Sequence, residues 1–206
     1  MKIRNFELWK VLVGVVILGM LSLGAGCIKQ DKYEEGKKLL ADGKYEDAVK
    51  YYQEKLKSDP KNAVLENQLG YSYAKQFKTQ EAIEHYKKAI ELEPDYAEAH
   101  YNLGYLYMKT MKLDEAIAEF SKAIEIKKSY AKAYNNRGYV EANLRQFDKA
   151  RKDIEKAISL EPDNKVFKEN LDWLNQMETI NQALIEQEKQ KPAEDTEKPA
   201  EKPAGK

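Results

Sequence analysis

Apolar and small residues recur along this chain with a period of 34 residues. Between residues 63 and 130 the period holds at six pairs of positions. They are Gly70 and Gly104, Leu69 and Leu103, Tyr73 and Tyr107, Ala82 and Ala116, Tyr86 and Phe120, and Ala89 and Ala123. A fixed period of this length is typical of stacked helical repeats, in which each unit buries its apolar face against the next.

The period extends in both directions and divides the chain into units. Glycines fall at positions 36, 70, 104 and 138, and alanines at 48, 82, 116 and 150, which places four repeats at about 29–62, 63–96, 97–130 and 131–164. Each unit predicts two helices joined by a short turn. In the third unit we expect a helix over residues 96–110, a turn at 111–113, and a second helix from an N-cap at Asp114 to about residue 126.

These residues resemble the tetratricopeptide repeat family. The resemblance implies an all-α fold, an α-α superhelix (solenoid) of four tetratricopeptide helix pairs followed by a C-terminal capping helix. It assigns the repeated glycine and alanine to places where paired helices cross closely. The pattern departs from the family mostly in the outer repeats, where Arg137 and Glu141 replace a leucine and a tyrosine, and Lys55 replaces an alanine.

The resemblance also implies a concave groove lined by the first helix of each pair. The predicted groove residues are Asn67, Gln68, Tyr71, Tyr101, Asn102, Tyr105, Lys132, Asn135, Asn136 and Tyr139. Tyrosine offers rigid contact area with a polar tip, and an amide can both donate to and accept from a peptide backbone. These residues therefore predict a site for a protein or peptide partner. The alternative is that they partly support helix packing, because both residue types are common at these positions in the family.

Some family members hold a C-terminal carboxylate with a clamp of basic and amide residues. Only Asn102 and Lys132 match that clamp in residue type. We therefore do not expect this chain to bind chaperone tails in that way.

The N-terminal segment, residues 1–26, has the pattern of an export signal. A basic leader is followed by residues 11–26, which carry no charge, and these are too few for the roughly 20 residues of a membrane span. Small residues stand directly before Cys27, the single cysteine of the chain. This junction resembles a bacterial lipoprotein signal, in which the cysteine becomes lipid-modified. The alternative is an uncleaved N-terminal helix that itself anchors the chain.

The chain beyond the repeats predicts two further segments. Residues 165–190 have helical apolar spacing and lose the repeat glycine, as expected for a capping helix. The apolar residues at 180–185 exceed what such a cap needs. Residues 191–206 repeat the tetrapeptide KPAE and contain no large apolar side chain, which predicts disorder.

Composition excludes several classes of function. The chain holds 35 basic and 35 acidic residues, and this balance argues against a nucleic-acid-binding protein. One cysteine and two histidines do not suggest a metal site, and no nucleophile or phosphate-binding motif is present. We therefore expect neither an enzyme nor a bound cofactor.

The sequence favours an exported, membrane-anchored scaffold or adaptor that binds a partner in its groove, such as an assembly factor for a cell-envelope complex. Two alternatives stay open. One is a structural lipoprotein that self-assembles through the apolar residues at 180–185. The other is a carbohydrate or lipid carrier of the envelope that uses the groove tyrosines. The oligomeric state is open in each case.

Overall fold

Nine α-helices follow one another in the part of the chain that the structure, a computed structural model, describes, which is residues 33–190. They are α1 Glu34–Ala41, α2 Tyr45–Ser58, α3 Ala63–Lys75, α4 Thr79–Leu92, α5 Ala97–Lys109, α6 Leu113–Ile126, α7 Ala131–Asn143, α8 Phe147–Leu160 and α9 Lys165–Gln190. The predicted export signal, Cys27 and the KPAE tail lie outside the described residues. Within residues 33–190, no helix has the length and apolar character needed to cross a membrane.

The helices pack in sequence as four pairs, α1 with α2, α3 with α4, α5 with α6, and α7 with α8, and α9 closes the array. Each second helix also contacts the first helix of the next pair, and the first helices α3, α5, α7 and α9 contact one another in order. Every described helix therefore buries its apolar face against its neighbours along the chain, as in a solenoid. The predicted all-α array of helix pairs with a C-terminal capping helix is confirmed.

The core repeats with the period of the sequence. One large side chain on the second helix of each pair is buried, namely Tyr52, Tyr86, Phe120 and Ile154, each at most 2% exposed. Leu69 and Leu103 face them from the first helices and are 1% exposed. Complete burial of a side chain of this size contributes about 1.5–3 kcal/mol, so the repeated positions account for much of the stability of the array.

The turns inside the pairs share one backbone conformation. Gly43, Phe77, Met111 and Arg145 occupy the same position in successive repeats and have φ angles of 73°, 60°, 60° and 58°. This left-handed turn carries the chain directly into the second helix, so α6 begins at Leu113. The prediction that Asp114 caps this helix is wrong, since Lys112 precedes it and Asp114 lies in its first turn.

Both histidines join the two helices of a pair. His85 Nδ1 lies 2.6 Å from Glu66 Oε2 in the second repeat, and His100 Nδ1 lies 2.6 Å from Glu119 Oε2 in the third. The two pairs occupy the same repeat positions with the partners exchanged. Burial lowers the pKa of His100, but its hydrogen bonds to Glu119 and to the Pro94 carbonyl outweigh burial and leave the pKa raised. These imidazoles are therefore part of the helix packing.

Helix α9 covers the end of the fourth pair. Phe167 and Leu174 are buried against it, whereas Lys168 and Asp172 are exposed on the outer face. A polar outer face is what a terminal cap requires. The helix has 26 residues, twice the 13 of α7, and it contacts the fourth pair as far as Asn181, which accepts a hydrogen bond from Arg145.

The fourth pair carries a charged cluster in its interior. Arg137 donates two hydrogen bonds to the Asp153 carboxylate, from Nε at 2.6 Å and from Nη2 at 2.9 Å. Glu141 is 6% exposed, and its Oε2 has no hydrogen-bond partner among the described residues. Burial, followed by the charge of Asp153, raises the pKa of Glu141 to about 7.

We expect Glu141→Gln to stabilise the protein at pH 8 but not at pH 4. Because the pKa of Glu141 is about 7 in the folded state and ordinarily 4.5, the folded chain binds this proton more tightly. Its contribution to stability is therefore present at low pH and is lost as the pH rises through 7. After allowance for the buried amide, we expect a gain of about 1–2 kcal/mol at pH 8.

Urea unfolding of both chains at the two pH values measures this effect. The informative quantity is the difference between variant and parent, because other titrating groups act on both chains alike. A difference that is the same at pH 4 and pH 8 would contradict the assignment of a raised pKa to Glu141.

Candidate functional site

The predicted groove is the face shared by the first helices α3, α5, α7 and α9. Side-chain hydrogen bonds join these helices at equivalent positions. They run from Asn102 Nδ2 to Asn67 Oδ1 (3.0 Å), from Asn136 Nδ2 to the Tyr101 hydroxyl (3.1 Å) and from Asn170 Nδ2 to Asn135 Oδ1 (2.9 Å). We call this set the amide ladder. It fixes the spacing of the first helices, so the groove is largely preformed.

The ladder changes the role of two predicted groove residues. Asn67 is 0% exposed and Asn135 is 3% exposed, and both amides bond to neighbouring side chains. They lie beneath the groove surface and support it. Asn102 and Asn136 are half-buried, so each keeps part of its side chain accessible.

A row of aromatic side chains lies beside the ladder. Tyr105 is 41% exposed, Tyr139 is 37% exposed, and Tyr71 is half-buried. The Trp173 ring stacks on Tyr139 with centroids 4.9 Å apart and planes at 28°. Tyr71, Tyr105, Tyr139 and Trp173 follow one another at the spacing of the repeat, and we call them the aromatic row.

Sequence reasoning missed Trp173 and Asn170 as groove residues. Each lies one repeat length after a predicted one, Trp173 after Tyr139 and Asn170 after Asn136. Continuing the period past residue 164 would have found both. Helix α9 therefore occupies the place of a fifth first helix and extends the groove as well as closing the core.

Tyr101 lies at the centre of the groove, half-buried among other rings. Its ring centroid is 5.0 Å from that of Tyr130 and 5.8 Å from that of Phe120. Burial raises the pKa of Tyr101, so the phenol is neutral at physiological pH. Its oxygen accepts from Asn136, which leaves its hydrogen for an acceptor on a ligand.

Lysines border the aromatic row in the second and third repeats. Lys75 Nζ lies 5.1 Å from the ring centroid of Tyr71, and Lys109 Nζ lies 5.4 Å from that of Tyr105. Such contacts contribute on the order of 0.5–1 kcal/mol at exposed sites. They hold positive charge beside the groove, where the half-buried Gln68 also lies.

A polar pocket of about 410 Å³ opens between α5 and α7. The predicted residues Tyr101, Asn102 and Lys132 line it, and so do Glu98, Lys127 and Glu161, which sequence reasoning missed. Two carboxylates and two ammonium groups therefore face one cavity. This arrangement suits a polar segment of a bound partner that carries both hydrogen-bond donors and acceptors.

The groove offers hydrogen bonds, aromatic contact and charge. Over residues 33–190, no cluster of three or more His, Cys, Asp or Glu side chains is arranged to hold a metal ion. The chemistry of these residues is that of recognition.

Comparison with known proteins agrees with this geometry. A family model described as "TPR repeat" matches residues 78–110. A second, described as "Tetratricopeptide repeat", matches residues 97–130 and again residues 131–164. No curated protein matches the chain significantly.

Several solved structures share the fold. The crystal structure of MamA is 28% identical with a TM-score of 0.63, over 73% of this chain and 88% of that one. YrrB, described as a TPR protein with an unusual peptide-binding site, is 26% identical with a TM-score of 0.58, over 66% and 71%. The first TPR of Spaghetti (RPAP3), bound to an HSP90 peptide, is 31% identical with a TM-score of 0.53, over 60% and 94%. The chain therefore belongs to the tetratricopeptide repeat family, whose members are scaffolds that bind proteins or peptides and are generally not enzymes.

Proposed function

We propose that this protein is an exported, membrane-anchored scaffold that binds an extended segment of a partner protein along the groove. The aromatic row carries the proposal, because four large rings in register line one face and two of them are more than a third exposed. A row of partly exposed tyrosines is typical of recognition surfaces.

The groove suits an extended peptide better than a compact ligand. The aromatic row and the half-buried amides of Asn102 and Asn136 repeat once per helix pair, so they offer evenly spaced contacts along a chain. The RPAP3 domain in its structure is bound to an HSP90 peptide, and YrrB is described as peptide-binding. Since only Asn102 and Lys132 match the carboxylate clamp, we expect recognition of internal peptide rather than of a C-terminus.

Export and anchoring rest on the N-terminal sequence. The uncharged segment before Cys27 supports cleavage of a signal and lipid attachment at Cys27, with an uncleaved helix as the alternative. Five residues separate Cys27 from Tyr33, where the described array begins. An anchored chain would hold its groove, and any bound partner, close to a membrane of the cell envelope. This suits an assembly factor for an envelope complex.

Capture of cross-linked partners from membranes tests the groove. We expect Tyr105→Ala/Tyr139→Ala in the full chain to reduce partner recovery at least tenfold, because truncation of central aromatic contacts typically costs about 2 kcal/mol or more. Lys122→Ala/Glu125→Ala, which removes an exposed ion pair on α6, is the matched control and should leave recovery unchanged.

Three outcomes would redirect the proposal. Equal recovery with the Tyr105→Ala/Tyr139→Ala variant would remove the groove from partner binding. A chain that captures only itself would favour the self-assembling lipoprotein, and capture of cell-wall fragments without protein would favour the carbohydrate carrier.

For the anchor, Cys27→Ser should release the protein from membranes if Cys27 is lipidated, whereas retention would favour the uncleaved helix.

A further inference from the structure

The two most exposed large apolar side chains of the described residues lie at one edge of the array. Phe77 is 91% exposed and Met111 is 75% exposed. Each occupies the turn between the two helices of its pair, and neither belongs to a core cluster. These side chains therefore add no buried apolar area to the core.

The backbone at these two residues also disfavours a side chain. Both have φ of 60°, a left-handed conformation that costs every residue except glycine. The first pair has Gly43 at this position, and in the fourth pair Arg145 donates a hydrogen bond to Asn181 of α9 at 2.9 Å. Phe77 and Met111 have no such folding role, although glycine would suit both turns. Backbone strain at residues without a folding role points to a functional role.

Lysines flank both apolar tips. The sequence Tyr-x-Tyr-x-Lys-x-apolar-Lys occurs twice, one repeat apart, so that Lys75 and Lys78 flank Phe77 and Lys109 and Lys112 flank Met111. All four ammonium groups lie over tyrosine rings at 5.1–5.7 Å from the centroids. The nearest acidic residues in sequence, such as Glu81 and Asp114, lie in the first turn of the following helices.

The same edge continues onto α9. The bond between Arg145 and Asn181 places α9 beside the turn of the fourth pair. Ile180 and Leu184, next to this contact, are 54% and 43% exposed. We call Phe77, Met111, Ile180, Leu184 and the four flanking lysines the turn edge.

We propose that the turn edge binds the surface of an anionic lipid bilayer, with the apolar side chains at the acyl boundary and the lysines at the headgroup phosphates. Apolar tips flanked by lysines match both layers of such a surface. The contact goes beyond the proposed function and does not require Cys27. This contact and an anchor at Cys27 are compatible. The five residues between Cys27 and Tyr33 reach at most about 17 Å, which exceeds the length of about 12 Å over which α1 runs to its turn. An anchored Cys27 can therefore share a bilayer with the turn edge.

Cosedimentation with vesicles tests the contact. The chain without residues 1–27 keeps all the described helices, and a cooperative thermal transition first establishes that it is folded. We expect it to bind vesicles of phosphatidylglycerol and phosphatidylcholine at least tenfold more tightly than vesicles of phosphatidylcholine alone. Phe77→Gly/Met111→Gly should reduce that binding at least tenfold and yet melt at the same or a higher temperature, because glycine suits both turns.

Two further variants complete the design. The variant Lys75→Gln/Lys78→Gln/Lys109→Gln/Lys112→Gln should lose the preference for anionic vesicles. Val166→Ser, at a 56% exposed apolar residue at the start of α9, should leave binding unchanged. Unchanged binding by the glycine variant would overturn the proposal. So would a chain that binds no vesicle but self-associates in a manner that the glycine variant abolishes, because the turn edge would then be a protein contact.

Discussion

Gly138→Leu is expected to lower the free energy of unfolding by about 3 kcal/mol or more. A Cβ atom at this position would lie 2.8 Å from the carbonyl oxygen of Ala150 and 2.9 Å from Ile154 Cγ1. The oxygen belongs to the backbone of α8 and cannot rotate away, so α7 and α8 would have to separate. Overpacking of a tight interface costs about 1–3 kcal/mol, and a leucine adds three further carbons to the Cβ that already clashes.

Gly104→Leu is the matched comparison for this experiment. A Cβ at Gly104 would meet the ring edge of Phe120 at 3.0 Å, and a side chain can tilt where a carbonyl cannot. We therefore expect a smaller loss than at Gly138, measured by urea unfolding of both variants. Equal stability of Gly138→Leu and the parent chain would contradict the close crossing of α7 and α8.

The crossings are also why the sequence predicts so much of the fold. A position that admits only glycine in one pair admits only glycine in the next, so the period is visible in the amino-acid sequence itself. Helix ends are less constrained. The left-handed turn at Met111 recurs in each pair with a different residue, and of these only Gly43 indicates a positive φ from the sequence. The expected N-cap at Asp114 was wrong for this reason.

The groove was predictable in position and less so in detail. The family pattern located Tyr105 and Tyr139, which are exposed on the first helices. It did not reveal that Asn67 lies beneath the surface, because an amide can bond equally well to a ligand or to the next helix. Asp172, which replaces the repeat glycine, ended the recognisable pattern just before Trp173. Partner contact at these residues stays a prediction.

Asp153→Ala is expected to lower the free energy of unfolding by about 3 kcal/mol. The substitution leaves the guanidinium of Arg137, whose side chain is only 21% exposed, without its bidentate partner. Breaking a buried pair by removing one member costs about 3–5 kcal/mol, since an uncompensated charge stays inside. Two effects reduce the loss here: Arg137 keeps its bond to Ser121, and removal of the Asp153 charge lowers the pKa of the nearby Glu141.

The double variant Arg137→Leu/Asp153→Ala separates loss of the pair from loss of packing. Leucine occupies this position in the second and third pairs, where Leu69 and Leu103 are 1% exposed. Replacing both members of a buried pair with apolar residues is often neutral, so we expect urea unfolding of the double variant to recover most of the stability that Asp153→Ala loses. If the losses of the two single substitutions instead add, the two side chains contribute independently, and the charged cluster is not what holds α7 against α8.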